Sequence, residues 1–228
     1  MRLHTLLLTL FALSTGVLTG GCQGKNGTAS SPPPQPPASE GTIVAVGDSL
    51  TAGYGLPENE AYPARLEQKL QQAGYHWKVV NAGISGETSS GALSRVDWVL
   101  KLKPDVVILE TGANDGLRGV DPALTRENID KMVTRLKEQG VIVVLAGMRM
   151  FTNMGPAYTA AFADIYPAVA KRHDLILIPF FLSGVAGDPA LNQEDRIHPV
   201  AKGYGIVTDM VYPYALKAIE QKKKQQHG

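Results

Sequence analysis

A three-layer α/β/α sandwich on a five-stranded parallel sheet is the fold class that this 228-residue chain predicts. Three observations lead there. From Gly41 onward, short apolar runs rich in β-branched residues alternate with amphipathic helical patterns. Single helical segments separate the runs, which makes them βαβ units with parallel strands and helices on both faces. The length left once the ends are trimmed suits one domain, and no internal repeat is visible.

The strand candidates, in order, span residues 42–46, 78–81, 105–110, 141–146 and 175–179. Between the first two, Tyr62, Leu66, Leu70 and Ala73 recur at helical spacing, and Ile129, Met132, Val133 and Leu136 do so before the fourth. Gly74 and Gly140 stand where these helices need a left-handed C-terminal residue. A further helix is expected over about 157–171, and a last one after Gly203.

The ends read differently. Residues 1–21 carry Arg2, an apolar run over 6–13 and then small residues, the pattern of a secretory signal. Ser14, Thr15 and Gly16 break the run well short of a membrane span. Cys22 is the sole cysteine, so no internal disulfide can form. The stretch Leu18-Thr19-Gly20-Gly21-Cys22 resembles a bacterial lipobox, which implies lipidation of Cys22. Gln23, where an aspartate would signal retention, implies a periplasm-facing protein anchored to the outer membrane. Residues 22–41 include Pro32, Pro33, Pro34, Pro36 and Pro37 and read as an extended tether, at about 3 Å per residue. The domain then covers 42–221, and 222–228 form a basic tail around Lys222, Lys223 and Lys224.

Composition narrows the partners. The chain holds 22 basic and 21 acidic residues, and removing the signal removes Arg2 and balances them. Nothing there predicts a nucleic-acid partner. A P-loop, a dinucleotide-binding fingerprint and zinc-ligand spacing are all missing, so no cofactor and no metal are expected.

The chemistry starts at residues 44–55, VAVGDSLTAGYG, which put Ser49 straight after the first strand. A serine hydroxyl needs a base to take its proton and donors to stabilise the oxyanion that forms. Of five histidines, His4 lies in the signal, His227 in the tail and His76 between a helix and a strand. His173 has Asp174 beside it but ends a cationic helix C-terminus, whereas His198 follows Asp195 by three residues. Candidate oxyanion donors lie in residues 81–86 and 112–115. Sites in such sheets form beyond the carboxyl ends of the strands. Ser49, Gly83 and Asn114 follow strands one, two and three, and His198 follows the fifth, so all four should converge. The chain lacks the G-x-S-x-G elbow; residues 83–87, GISGE, miss it at the last position.

In order and spacing, these four segments resemble the blocks of the SGNH (GDSL) hydrolase superfamily, whose fold is flavodoxin-like. The resemblance implies Ser49 as nucleophile, His198 as base and Asp195 as the carboxylate that orients it. It also implies an oxyanion hole of Ser49, Gly83 and Asn114. Residues 112–119, 158–167 and 178–181 resemble the thioesterase, arylesterase and lysophospholipase branch, which implies hydrolysis of acyl esters and thioesters without metal or cofactor. Ala113 stands where relatives often carry glycine, which narrows the site slightly. Met148, Met150, Phe151 and Met154 follow the fourth strand and are expected to line an adaptable acyl groove. Residues 85–91 are expected to form a mobile loop over the site. The whole reads as a tethered serine esterase. The alternatives are a carbohydrate O-acetylesterase and a catalytically silent ligand-binding lipoprotein. Oligomeric state is not legible.

Overall fold

The computed structural model describes residues 39–227. The signal over 1–21, Cys22 and nearly all of the tether lie outside them. Five strands form one parallel sheet in the order β2-β1-β3-β4-β5: β1 (Gly41–Gly47), β2 (Trp77–Gly83), β3 (Val106–Glu110), β4 (Ile142–Ala146) and β5 (Ile176–Ile178). Each matches an expected run to within a few residues. All five residues of β3 and of β4 are buried, as strands covered by helices on both faces must be.

The helices are α1 (Ser49–Ala52), α2 (Tyr62–Gln72), α3 (Ser89–Ser94), α4 (Val96–Lys101), α5 (Ala113–Leu117), α6 (Pro122–Glu138), α7 (Pro156–His173) and α8 (Ala201–His227). Packing sorts the long ones into two layers. Helix α2 lies against β2 and α8, and α8 against β3, β4 and β5; α6 and α7 pack on each other and on β4. Leu66 and Leu70 on α2, Ile129, Met132, Val133 and Leu136 on α6, and Val207 and Val211 on α8 carry the apolar stripes into the core. Gly74 and Gly140 take φ of 84° and 70° after α2 and α6, the left-handed exits that their positions predict.

Three expectations need correction. The last helix begins at Ala201, two residues before Gly203, and continues through His227. Residues 222–227 are therefore not a separate basic tail. Lys222 donates to the Gly140 carbonyl at 3.1 Å and faces Asp105, and Lys223 pairs with Glu40 at 2.7 Å. These contacts hold the end of the helix against the start of the sheet. The segment 85–91 is likewise no free lid. Glu87 pairs with Arg95 at 2.6 Å, Arg95 also donates to the Ala82 carbonyl, and Ser89 is fixed to the buried Asp115 at 2.6 and 2.7 Å. Within it Ser85, Gly86 and Ser90 are exposed, and Ser90 still accepts from Asn128 Nδ2 at 2.9 Å. No helix among the described residues is long and apolar enough to cross a membrane.

Candidate active site

Strand β1 delivers the central serine. It runs buried to Gly47, and α1 starts two residues later at Ser49 with Asp48 as its cap, accepting from the Leu50 N–H at 2.9 Å. Gly47 is required at this turn: a Cβ there would lie 2.1 Å from Thr51 Oγ1 and 2.5 Å from Glu110 Oε2. Gly53 closes the single turn of α1 with φ of 80°. From above, Tyr204 of α8 donates its hydroxyl to the Leu50 carbonyl at 2.9 Å.

The connection from β5 to α8 brings in the histidine. His198 Nε2 lies 2.7 Å from Ser49 Oγ, and its Nδ1 lies 2.6 Å from Asp195 Oδ2. The other carboxylate oxygen of Asp195 accepts from the Ile197 and His198 N–H groups at 2.8 and 3.0 Å. Arg196 makes this tight loop possible by adopting φ of 58°. Burial opposes the charge on Asp195, but the hydrogen bonds from His198 and Ile197 outweigh it and hold the carboxyl at about 2. An ionised acceptor on Nδ1 fixes the tautomer in which Nε2 is free to accept the serine proton. The Tyr54 ring covers the imidazole at 4.8 Å between centroids.

His173 is elsewhere. It ends α7, and its partner is Asp130 of α6 at 2.8 Å rather than its neighbour Asp174, which turns left-handed to close the helix. That pair faces no serine of the catalytic edge.

The expected oxyanion donors gather around Ser49. The Ser49 N–H opens α1, where the first N–H groups have no acceptor within the helix. Gly83 ends β2 pressed on the backbone of α1: a Cβ there would sit 2.3 Å from the Ala52 nitrogen, so no side chain fits. Its N–H donates to Asn81 Oδ1 at 3.0 Å, a bond that the sequence did not reveal and that an incoming oxyanion has to replace. Asn114, in the first turn of α5, donates Nδ2 to Asp48 Oδ2 at 3.1 Å. With Asp48 Oδ2 as acceptor, this bond decides which way the amide faces and leaves its second N–H available.

Beneath the serine lie two carboxyls that motif reading passes over. Asp48 and Glu110 are 1% and 0% exposed. Glu110 Oε2 accepts from the Asp48 N–H at 3.2 Å and from Thr51 Oγ1 at 2.9 Å.

Beside Ser49 a cavity of about 270 Å3 is walled by Leu50, Ala113, Leu117, Met148, Met150, Phe151, Phe180, Leu182 and Ile197, with Arg149 and Arg196 at its polar margin. Of the four residues expected to line a groove, Met148, Met150 and Phe151 are among these walls. Met154 is not among the walls; it lies toward Gly119. Ala113 does present its methyl to the cavity. Among the described residues no cluster of His, Cys, Asp or Glu is placed to hold a metal ion.

A serine hydroxyl, an imidazole and an ionised carboxylate in line, beside an apolar cavity at the carboxyl edge of a parallel sheet, define a serine hydrolase. Comparison with known proteins narrows the class. Residues 45–206 match the model of the GDSL-like lipase/acylhydrolase family, and the chain belongs to that family as an SGNH-type esterase. It is 40% identical over 173 residues to the esterase TesA of Pseudomonas aeruginosa, covering 75% of this chain and 86% of that one. To the thioesterase 1/protease 1/lysophospholipase L1 of Escherichia coli K12 it is 38% identical over 173 residues, covering 75% and 82%. The crystal structure of the psychrotrophic esterase EstA from a Pseudoalteromonas species, inhibited by monoethylphosphonate, superposes with a TM-score of 0.76 at 32% identity, covering 79% of this chain and all of the other.

Proposed function

We propose that the protein hydrolyses carboxylic esters and thioesters, among them aryl esters, acyl esters and lysophospholipids, through an acyl-enzyme on Ser49. The observation that carries this is His198 bridging Ser49 Oγ and Asp195 Oδ2 at 2.7 and 2.6 Å. Ser49 Oγ attacks the acyl carbonyl as His198 Nε2 takes its proton. The tetrahedral oxyanion is met by the Ser49 and Gly83 N–H groups and by Asn114 Nδ2. Collapse breaks the bond to the leaving alcohol or thiol, which receives the proton from His198. Water then repeats the sequence and releases the acid. The apolar walls of the cavity support an acyl chain as the part of the substrate that is bound, and the names of the relatives support esters and thioesters alike.

The test is covalent labelling with a fluorophosphonate together with hydrolysis of aryl esters of increasing acyl length. Ser49→Ala should lose both label and turnover while melting as the parent does; label surviving in that variant would overturn the assignment. Activity confined to acetyl esters would point instead to an O-acetylesterase. We infer further that Cys22 carries a lipid anchor and that the enzyme faces the periplasm from the outer membrane. The lipobox-like stretch supports this, as does the Pro-rich segment behind it. Several acyl chains on one residue hold a protein firmly to a bilayer. Full-length Cys22→Ser should move from the membrane to the soluble fraction on cell fractionation.

A further inference from the structure

The mechanism above gives no role to the buried carboxyl of Glu110. Glu110 ends β3 with no exposed surface and sits directly under the serine turn. One of its oxygens, Oε2, takes both donors that reach it, the Asp48 N–H and Thr51 Oγ1. The other, Oε1, is shielded from solvent and receives no N–H or O–H from the described residues. A charged carboxylate in such a place, with no donor for one oxygen, costs far more than a neutral carboxylic acid. Asp48, Thr51 and the hydroxyls of Tyr62, Tyr166 and Tyr204 act on it, and none of these is a cation. The His198 imidazole acts on Asp48 and favours its charge.

Two carboxyls that share a buried site cannot both ionise, so one of them keeps a proton. Burial raises Asp48 as well, but the Leu50 N–H at 2.9 Å and Asn114 Nδ2 at 3.1 Å oppose that rise and favour its charge. Glu110 lacks a match for them on Oε1. Burial, and then the charge of Asp48, push Glu110 well above the usual carboxyl range. The proton therefore resides on Glu110.

We propose that Glu110 is a positioning residue of the oxyanion hole: as a neutral acid it keeps Asp48 an obligate acceptor, and Asp48 thereby holds Asn114 with its amide nitrogen toward the substrate. If Asp48 carried the proton, it could donate to the amide oxygen of Asn114. The amide could then turn over and present an acceptor to the developing oxyanion, which repels it. The inference rests on the reading of Asn114 as an oxyanion donor.

The experiment measures kcat and KM for Glu110→Gln and Glu110→Leu, each alone and combined with Asn114→Ala. Gln copies the shape and the donor–acceptor capacity of a neutral acid; Leu removes both. Alone, Asn114→Ala should lower kcat by about 10²–10³; an unchanged kcat would overturn the reading of Asn114 and leave that of Glu110 distinguishable by the arms that follow. Glu110→Leu should lower kcat by about 10-fold or more with KM little changed, and Glu110→Gln should recover most of it. In the Asn114→Ala background Glu110→Leu should cost almost nothing further, because both changes remove the same donor. A Glu110→Gln variant as slow as Glu110→Leu, or a full additional loss in the Asn114→Ala background, would overturn the proposal. Should Glu110→Leu fail to fold, the infrared carbonyl stretch of a carboxylic acid decides. It should be present in the parent at neutral pH and missing from Glu110→Gln; its absence from the parent would overturn the proposal.

Discussion

The hydroxyl of Tyr204 donates to the carbonyl of Leu50 at 2.9 Å, across 154 positions of sequence. Leu50 follows the nucleophile by one residue, and Tyr204 follows His198 by six. One buried bond thus registers the helix that carries the serine against the element that follows the histidine, and both groups are withdrawn from water. Tyr204→Phe keeps the ring and deletes the bond, leaving a buried carbonyl without its partner. It should lower stability by about 1–3 kcal/mol in denaturant unfolding. Turnover should also fall several-fold, since the Ser49–His198 distance is no longer held from above. A variant with parental stability would show that the bond contributes nothing.

Asp195→Asn should reduce kcat far more than any change at the second histidine–aspartate pair. The amide can offer an N–H where the imidazole needs an acceptor, so the wrong tautomer is favoured, an effect on the order of 10⁴ in a comparable triad. Asp130→Asn disturbs His173 and a surface ion pair with Arg172, both remote from Ser49, and should leave kcat within about twofold. Steady-state kinetics on one aryl ester separate the two; the reverse ranking would move the base to His173.

Gly83→Ala tests the contact between β2 and α1. The new methyl would meet the Ala52 nitrogen at 2.3 Å and its Cα at 2.7 Å, which is backbone and cannot swing aside. The expected cost is about 1–3 kcal/mol of stability. Because the displaced backbone belongs to α1, kcat should fall with it. Thermal unfolding and turnover, measured on the same preparation, check both halves.

The proton on Glu110 also has a signature in stability. A carboxyl whose folded pKa is raised binds more protons in the native than in the unfolded chain at intermediate pH. The stability it contributes is fully present below the ordinary glutamate value of about 4.3 and is lost as pH rises toward the folded value. Glu110→Gln has no proton to lose. Its stability relative to the parent should therefore increase steadily between about pH 5 and 8, whatever the offset at the acid end. Parallel pH profiles of unfolding free energy would show that Glu110 is ionised in the native protein.

What was legible in the sequence was what has a local signature. A β-branched run ending in Gly-Asp-Ser announces a strand that turns sharply into a helix, and Asp195 three residues before His198 announces a carboxylate within reach of its own imidazole. The strands β3 and β4, apolar throughout, were equally plain. Glu110 had no such signal. It reads as the polar end of a strand, and its role depends on Asp48, 62 positions earlier, which only the sheet brings alongside. The walls contributed by Phe180 and Leu182 escaped for the same reason: they lie on an irregular connection after the shortest strand, where no periodicity marks a face. The segment after Gly83 looked loose because it holds two glycines and three serines, yet the partners that pin it, Arg95 and Asp115, sit on other elements. Lys222 and Lys223 looked like a solvated end because a lysine run carries no hint of the carboxylates waiting at the opposite edge.

That last pairing bears on how freely the chain could be rewired. Glu40 precedes β1 and Lys223 lies near the end of α8, and their side chains meet at 2.7 Å on the edge of the sheet opposite Ser49. The beginning and end of the folded unit are therefore neighbours. A short Gly/Ser linker could join them, and the exposed turn at residues 57–59 could be opened instead, giving a circular permutant cut where few buried contacts cross. In that molecule His198 would precede Ser49 along the backbone, and the two would still face each other, because the sheet rather than the order of synthesis brings them together.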